Sequence, residues 1–504
     1  MKWLSPLLPC ALCLLPCRAA LPPFPAIADA TDSVSIGRKS VFAAGQLPDA
    51  LALGPGDVVR VSGSNFGFRA VSCTGTPERP AFIIGVPDAQ GRKPALGQLI
   101  LRSFSASNLV IEGCSVTVLT APVTGVEIHD IAIRRCEWIC TGTDADGGSD
   151  SSAFPVGNRR GDGGWAWNIV LHSNVVDRFG DWKSPREDDL TGIYFTGQCS
   201  NVWAIGNDLS HIRGDGIGGG ANADNTAHDI VCLFNRIWEC RENGIDQKSV
   251  SDAYYISNTI WGIHSPAVNQ TANGEAIVLH EQPKTNIWVV GNDISRSSHG
   301  IWAAGFYGFH ALSNFIHDIE FEAQVAQPTF NPLSTDTSGA GINAGTIGSE
   351  IVGNTFSNCA VGVANSLGPC VIGPNTYINV PVTVNDQQGG ALPPPLLVTN
   401  VPPVVVPPVV PPVVPPVVLA PSVRGRTNTL VIYAANELGA LQAVAEVTFT
   451  NGAPKVFFSA ALKPPVAPSA AAAPKSGTVM VKAVNAGGVT LKKLAAPKPP
   501  PPKP

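Results

Sequence analysis

The sequence predicts an all-β chain: a right-handed parallel β-helix solenoid, followed by a Pro/Val-rich linker and a small C-terminal β module or disordered tail. Three observations predict it. Short β-branched and apolar segments recur along residues 108–375, each closing on Asn or a small residue. The closing positions are 22, 38, 33, 28, 23, 34, 22, 40 and 21 residues apart, a floor near 22 with insertions above it. Glycine and proline are also segregated: 45 of 51 glycines fall in residues 31–392, and 23 of 45 prolines fall in 393–504.

Residues 1–30 read as a secretory signal. Lys2 precedes the apolar stretch Leu4–Leu15, then come Arg18, small residues at Ala19 and Ala20, and a second small cluster at Ala28-Asp29-Ala30. The run is too short for a transmembrane helix, and no later apolar run reaches spanning length. An exported protein is expected, secreted to the outside or the periplasm. Of twelve cysteines, Cys10, Cys13 and Cys17 leave with the signal. Nine remain, an odd number that allows some disulfides but not complete pairing.

Residues 31–392 form the solenoid. Typical segments are Asn108-Leu-Val-Ile-Glu-Gly-Cys114, Asn168-Ile-Val-Leu-His-Ser-Asn174, Asn201-Val-Trp-Ala-Ile-Gly-Asn207 and Asn286-Ile-Trp-Val-Val-Gly-Asn292. Alternation with period two, broken by Gly and Asn, excludes a helical solenoid. Each unit is too short for a propeller blade. What remains is a stack of nine to ten coils whose parallel strands lie about 4.8 Å apart. Asn is expected to recur because it tolerates left-handed backbone and bonds to the next turn. Residues 40–98 read as an opening region before the first clear coil. Its Gly54-Pro-Gly-Asp57 and Gly75-Thr-Pro-Glu-Arg-Pro80 turns resemble the start of secreted carbohydrate-acting β-helix proteins.

Residues 393–426 are the linker, with a Pro-Pro-Val-Val pattern that favours extended polyproline II. Residues 427–494 hold two candidate strand pairs, Thr429–Tyr433 with Ala445–Phe449 and Val456–Phe458 with Thr478–Val481. Residues 495–504 are expected to be disordered. Charge divides along the same boundary. Ten Lys/Arg against Glu437 and Glu446 give the chain after 392 a charge of +8, residues 1–30 carry +1, and the net of −5 leaves −14 on the body. So acidic a body disfavours a nucleic-acid binder, whereas the basic tail suits contact with an anionic cell envelope.

A solenoid has no cleft, so chemistry has to sit on a surface column. A second strand opens each time on Gly-Ile or Ala-Ile: Gly192-Ile193, Gly216-Ile217, Gly244-Ile245, Ala276-Ile277, Gly300-Ile301 and Gly341-Ile342. With each Ile inside, one outward column reads Tyr194, Gly218, Asp246, Val278, Trp302, Asn343. The other reads Thr196, Gly220, Lys248, His280, Ala304, Gly345. Lys248 and His280 become neighbours on adjacent coils, with Asp246 on the same face. Gly218 and Gly220 leave room for an extended polysaccharide, and Tyr194 and Trp302 offer aromatic walls. A third column, Asp215, Asn243, Glu275 and His299, could hold Ca2+ through its oxygens. The acidic stretches Asp144–Asp150 and Glu187–Asp189 read as solvated loops.

The stretch Asn243-Gly-Ile-Asp-Gln-Lys248-Ser249 with Ala276-Ile-Val-Leu-His280 resembles the catalytic coils of the polysaccharide lyase family containing chondroitinase B and alginate lyases. That family carries an E-x-E-x-x-x-x-K-S segment that supplies calcium ligands and a Lys base, with an Arg acid on the next coil. Lys248-Ser249 matches the base position, and His280 falls where the Arg is expected. Arg241 and Asn243 stand where the two Glu ligands would be, with Asp215 and Glu275 as partial substitutes. The resemblance implies β-elimination on a uronic-acid polysaccharide, with Lys248 as base and His280 or Tyr194 as acid. Asp246 either tunes Lys248 or raises its pKa and spoils it as a base. Two other readings share the fold: a glycoside hydrolase using Asp215 with Asp246 or Glu275, or an epimerase, and a non-catalytic glycan-binding surface or matrix protein.

Overall fold

The computed structural model describes residues 21–25 and residues 37–386, apart from the loops at 65–66, 102–104, 121, 139–151, 158–163, 181–189, 196, 221–226, 264–273, 281–284, 320–338 and 366–369. It also describes the backbone of five strands between 428 and 494. The Leu4–Leu15 stretch, the Pro/Val linker, the final Lys/Pro tail and the Asp144–Asp150 and Glu187–Asp189 loops lie outside the described residues. Among the described residues no helix is long and apolar enough to cross a membrane.

The body is a parallel β-helix of three sheets. In the first sheet Ala106–Glu112, Ile128–Arg134, Ala166–His172, Cys199–Ile205, His228–Leu233, Ser251–Ile256 and Thr285–Val290 pair in series, all parallel. A second sheet of short strands follows, through Val175–Asp177, Asp208–Ser210, Arg236–Trp238 and Thr259–Ile263. The third contains the Gly-Ile strands, Thr191–Phe195, Ile217–Gly219, Ile245–Lys248, Glu275–His280 and the start of His299–Leu312. Each strand meets the coil before and the coil after, which satisfies its backbone and leaves no long open edge. Ile, Val, Leu and Phe from all three sheets fill one continuous core, including Ile131, Ile169, Phe195, Ile230, Ile245 and Ile277.

The opening region is itself coiled. Lys39–Ala43, Val58–Ser62 and Ala81–Gly85 pair in register and hand on to Ala106–Glu112. The solenoid therefore begins before the first coil the Asn repeat reveals. The first of its two turns is pinned by a carboxylate: buried Asp57 accepts from Gly54 N at 2.9 Å and from Arg38 N at 2.8 Å.

The recurrent Asn column is a buried ladder. Asn174, Asn207, Asn235, Asn258, Asn292, Asn314, Asn354 and Asn375 are linked in series, one Nδ2 hydrogen passing to the next Oδ1 at 2.9–3.1 Å. Each of these Nδ2 groups also donates to a carbonyl of the preceding coil, as Asn235 does to Ala204 O at 3.0 Å. One expectation changes here. The ladder Asn residues are not left-handed; the residues before all but Asn375 are, as at Ser173, Phe234, Ser257 and Ser313 with φ of 53°, 56°, 50° and 54°. A separate Asx row, Asn168, Asn201, Asp229, Asp252 and Asn286, is left-handed near the strand starts. There it breaks strict alternation, so that Ala166, Ile169 and Leu171 face inward in one strand.

Seven of the eight described cysteines are buried. They pack as small apolar residues, with the Cys136 thiol pushed up by burial to about 11. In the C-terminal unit, Asn428–Ala435 pairs antiparallel with Leu441–Phe449, which includes the first expected strand pair. The second expected pair is replaced. Pro454–Phe458 joins that sheet as its third strand, and Val479–Asn485 forms a hairpin with Gly488–Leu494. A two-residue connection closes more easily than the twenty residues between Phe458 and Val479.

Candidate functional site

The third sheet carries the columns that alternation assigned to it. Tyr194, Gly218 and Asp246 are register partners in turn, as are Asp246, Val278, Trp302 and Asn343. Lys248 stands opposite His280. The two are joined by a residue between them: Asp246 Oδ2 lies 2.9 Å from Lys248 Nζ, and Asp246 Oδ1 lies 3.0 Å from His280 Nε2. The Asp246 side chain is 4% exposed, while Lys248 and His280 are each 25% exposed, so the carboxylate is the buried floor under two reachable groups. Burial by itself would lower the Lys248 pKa. The carboxylates of Asp246 and Asp215 outweigh it and hold the ammonium above the usual lysine range.

Asp215 adds a second carboxyl. Its Oδ1 accepts from Asn243 Nδ2 at 3.0 Å, and its Oδ2 lies in the space that Gly218 vacates. A Cβ on Gly218 would stand 3.3 Å from that oxygen and 3.2 Å from the Tyr194 ring. The space beside Gly218 is therefore taken by Thr191, whose Cγ2 would be nearest at 2.9 Å, with Tyr194 and Asp215. Gly220 is buried, with its N–H donating to Phe195 O at 3.2 Å. Burial first, then the Glu242 and Asp246 carboxylates, push the Asp215 pKa well above the usual carboxyl range, with Lys248 opposing. Asp215 is thus harder to ionise than an exposed carboxyl, beside the Asp246 carboxylate that pairs with Lys248. Trp302 stacks on His280, with centroids 5.8 Å apart and planes 22° apart, so one face of its indole is engaged.

The third column is a stack of pairs. Asn243 bonds Asp215, while Glu275 Oε1 lies 3.9 Å from His299 Nδ1, with burial pushing His299 down to about 4. As placed, Asn243 is paired with Asp215 and Glu275 faces His299. Among the described residues no group of three or more His, Cys, Asp or Glu side chains is arranged to hold a metal ion.

Two residues at the site escaped the sequence reading. Glu242 is buried in the corner before Gly244, between the two positions where the family motif places its Glu. Gln247 is 1% exposed and faces the core between Asp246 and Lys248, with its Oε1 accepting no hydrogen bond. Gly219 makes room for it, since a Cβ there would stand 2.8 Å from Gln247 Nε2. The inward Gly219–Gln247 pair was visible in the alternation, as a small residue facing a large polar one.

No protein-family model matches the chain, and no curated protein sequence matches it. Among solved structures, the A-modules of two Azotobacter vinelandii mannuronan C-5 epimerases match at 12% and 16% identity, with TM-scores of 0.34 and 0.38. They span 67% and 69% of this chain and 90% and 91% of their own. A mannuronic acid specific polysaccharide family 6 lyase enzyme from human gut microbiota matches at 12% identity and a TM-score of 0.33, over 70% of this chain and 92% of its own. The β-helix architecture rests on the strand register described above.

Proposed function

We propose that this is an exported enzyme that cleaves an extended uronic-acid polysaccharide by β-elimination on the outer face of the third sheet. The observation that carries the reading is the junction at Asp246, which holds Lys248 Nζ on one oxygen and His280 Nε2 on the other. The roles follow from protonation. Lys248 stays an ammonium, so it neutralises the uronate carboxylate and the enolate that develops from it. His280 donates Nε2–H to Asp246, which leaves Nδ1 as the acceptor for the proton next to that carboxylate. As that C–H bond breaks, a carbon–carbon double bond forms and the neighbouring glycosidic C–O bond breaks. The imidazolium returns its proton to the leaving oxygen. The resemblance gave the base role to Lys248; here His280 takes that role and Lys248 neutralises the developing charge. Tyr194, two strands from Asp246, lines the path of the chain, and Trp302 backs His280.

The test is a screen of alginate, pectate and glycosaminoglycans for unsaturated-product absorbance, with and without chelator. Product that disappears in His280→Ala and in Lys248→Ala supports the reading; no product on any polyuronate overturns it. The raised pKa of Asp215, buried beside Glu242 and Asp246, favours a second reading, in which that carboxyl is the general acid of a glycoside hydrolase. New reducing ends without unsaturated product, lost in Asp215→Asn, would identify it. Glycan binding that survives Lys248→Ala with His280→Ala would identify a non-catalytic binder.

A further inference from the structure

The outer row of the first sheet is apolar where a solenoid surface is ordinarily polar. Val170, Trp203 and Val231 stand in register on consecutive strands, and each is 2% exposed or less. Part of their cover comes from far away in sequence. Phe24 meets Trp203 edge to face, with centroids 5.0 Å apart and planes 86° apart. Asn201 clamps both sides of this contact: its Nδ2 donates to Pro23 O at 3.0 Å, and its Oδ1 accepts from Trp203 Nε1 at 2.8 Å. Pro25 is buried. Three prolines in Leu21-Pro-Pro-Phe-Pro25 fix an extended segment with few N–H groups to satisfy, which suits a strap laid across a sheet face.

The leader offers two cleavage sequences of the small-x-small kind, Cys17-Arg18-Ala19 and Ala28-Asp29-Ala30. They differ in what they leave behind. A cut after Ala30 removes Phe24 and uncovers Trp203; a cut after Ala19 keeps the strap. We propose that the leader is hydrolysed after Ala19 and that Leu21–Pro25 stays in the mature protein as a strap sealing Trp203. A leader peptidase adds water across the Ala19–Ala20 peptide bond, leaving a carboxylate on Ala19 and a new amino terminus on Ala20. This rests on the export reading above.

Two measurements on the exported full-length protein test it separately from that reading. N-terminal sequencing of chain recovered outside the cytoplasm is expected to start at Ala20; a start at Leu21 would overturn the cut after Ala19 while leaving the strap whole. A start at Thr31 overturns it. A chain that keeps Met1 overturns the cleavage and the export together. The strap itself is read by tryptophan emission. Phe24→Ala is expected to red-shift the emission and increase acrylamide quenching, and both changes should vanish in a Trp203→Phe background. Phe24→Leu, which keeps an apolar cover, should shift emission less. Emission that Phe24→Ala leaves unchanged overturns the strap whatever the N-terminus.

Discussion

At the scale of single residues, the chemistry turns on a carboxylate that serves two neighbours. Asp246→Asn keeps the shape but removes the charge that holds Lys248 as an ammonium and orients His280. A loss of at least about 100-fold in kcat is expected, measured by unsaturated-product absorbance. Lys248 separates the two assignments of its role. A guanidinium keeps the charge and cannot act as a base, so Lys248→Arg should lose only about tenfold where Lys248→Ala loses about 100-fold. Equal losses would return Lys248 to the role of base. Asp215 gives a pH dependence of stability. Its pKa is raised on folding, so its contribution is fully present below the ordinary carboxyl value of about 3.9. As pH rises past that value, the unfolded chain releases a proton that the native state still keeps, and stability falls until the native group ionises. Urea denaturation between pH 4 and 8 should therefore show a smaller decline for Asp215→Asn than for the parent. The Lys248–His280 adjacency was legible in the sequence, because period two and coil spacing fix outward neighbours. The shift at Asp215 was not, because it depends on burial and on the neighbouring Glu242 and Asp246 carboxyls of the next coil.

At the scale of the element, the Asn ladder holds one corner of the coil in place. Asn258 accepts from both Asn235 N and Asn235 Nδ2, and donates to Cys232 O and Asn292 Oδ1. Asn258→Ala strands several of these buried groups, at about 1–3 kcal/mol each, for an expected loss of about 4 kcal/mol in denaturant unfolding. Asn379→Ala removes only an exposed bond to Asn358 and strains one left-handed residue at φ 52°, so it should cost about 1 kcal/mol, well below Asn258→Ala. A second corner depends on glycine for closeness. A Cβ on Gly244 would lie 2.5 Å from Ala276 O and 2.6 Å from Ile260 Cγ2, so the Gly-Ile start exists to let two coils touch. The repeat made these corners visible as positions. It did not show that bonding to the next coil and left-handed backbone belong to two different Asx rows, because both rows use the same residue type. Only the ladder's burial and the φ values of Asn168 and Ser173 tell them apart.

At the scale of the whole molecule, the solenoid extends further than its most regular repeats. The coils from Lys39 to Gly85 lack the Asn signature, since that ladder starts only at Asn174 and earlier coils put Cys114 and Cys136 at the equivalent corner. The paired strands then run through to Val382–Asp386. Charge gives that following chain a measurable consequence. The body carries −14 and the chain after residue 392 carries +8. A polyuronate approaching the body alone meets long-range repulsion, which the tail offsets until salt screens both. The Debye length shrinks from about 10 Å at 0.1 M ionic strength to about 3 Å at 1 M. A chain ending at residue 401 should therefore melt at the same temperature as the parent yet show a lower kcat/KM on polyuronate at low salt. The two kcat/KM values should converge as ionic strength approaches about 1 M. A deficit that persists at high salt would mean that the tail contributes contacts and not merely charge.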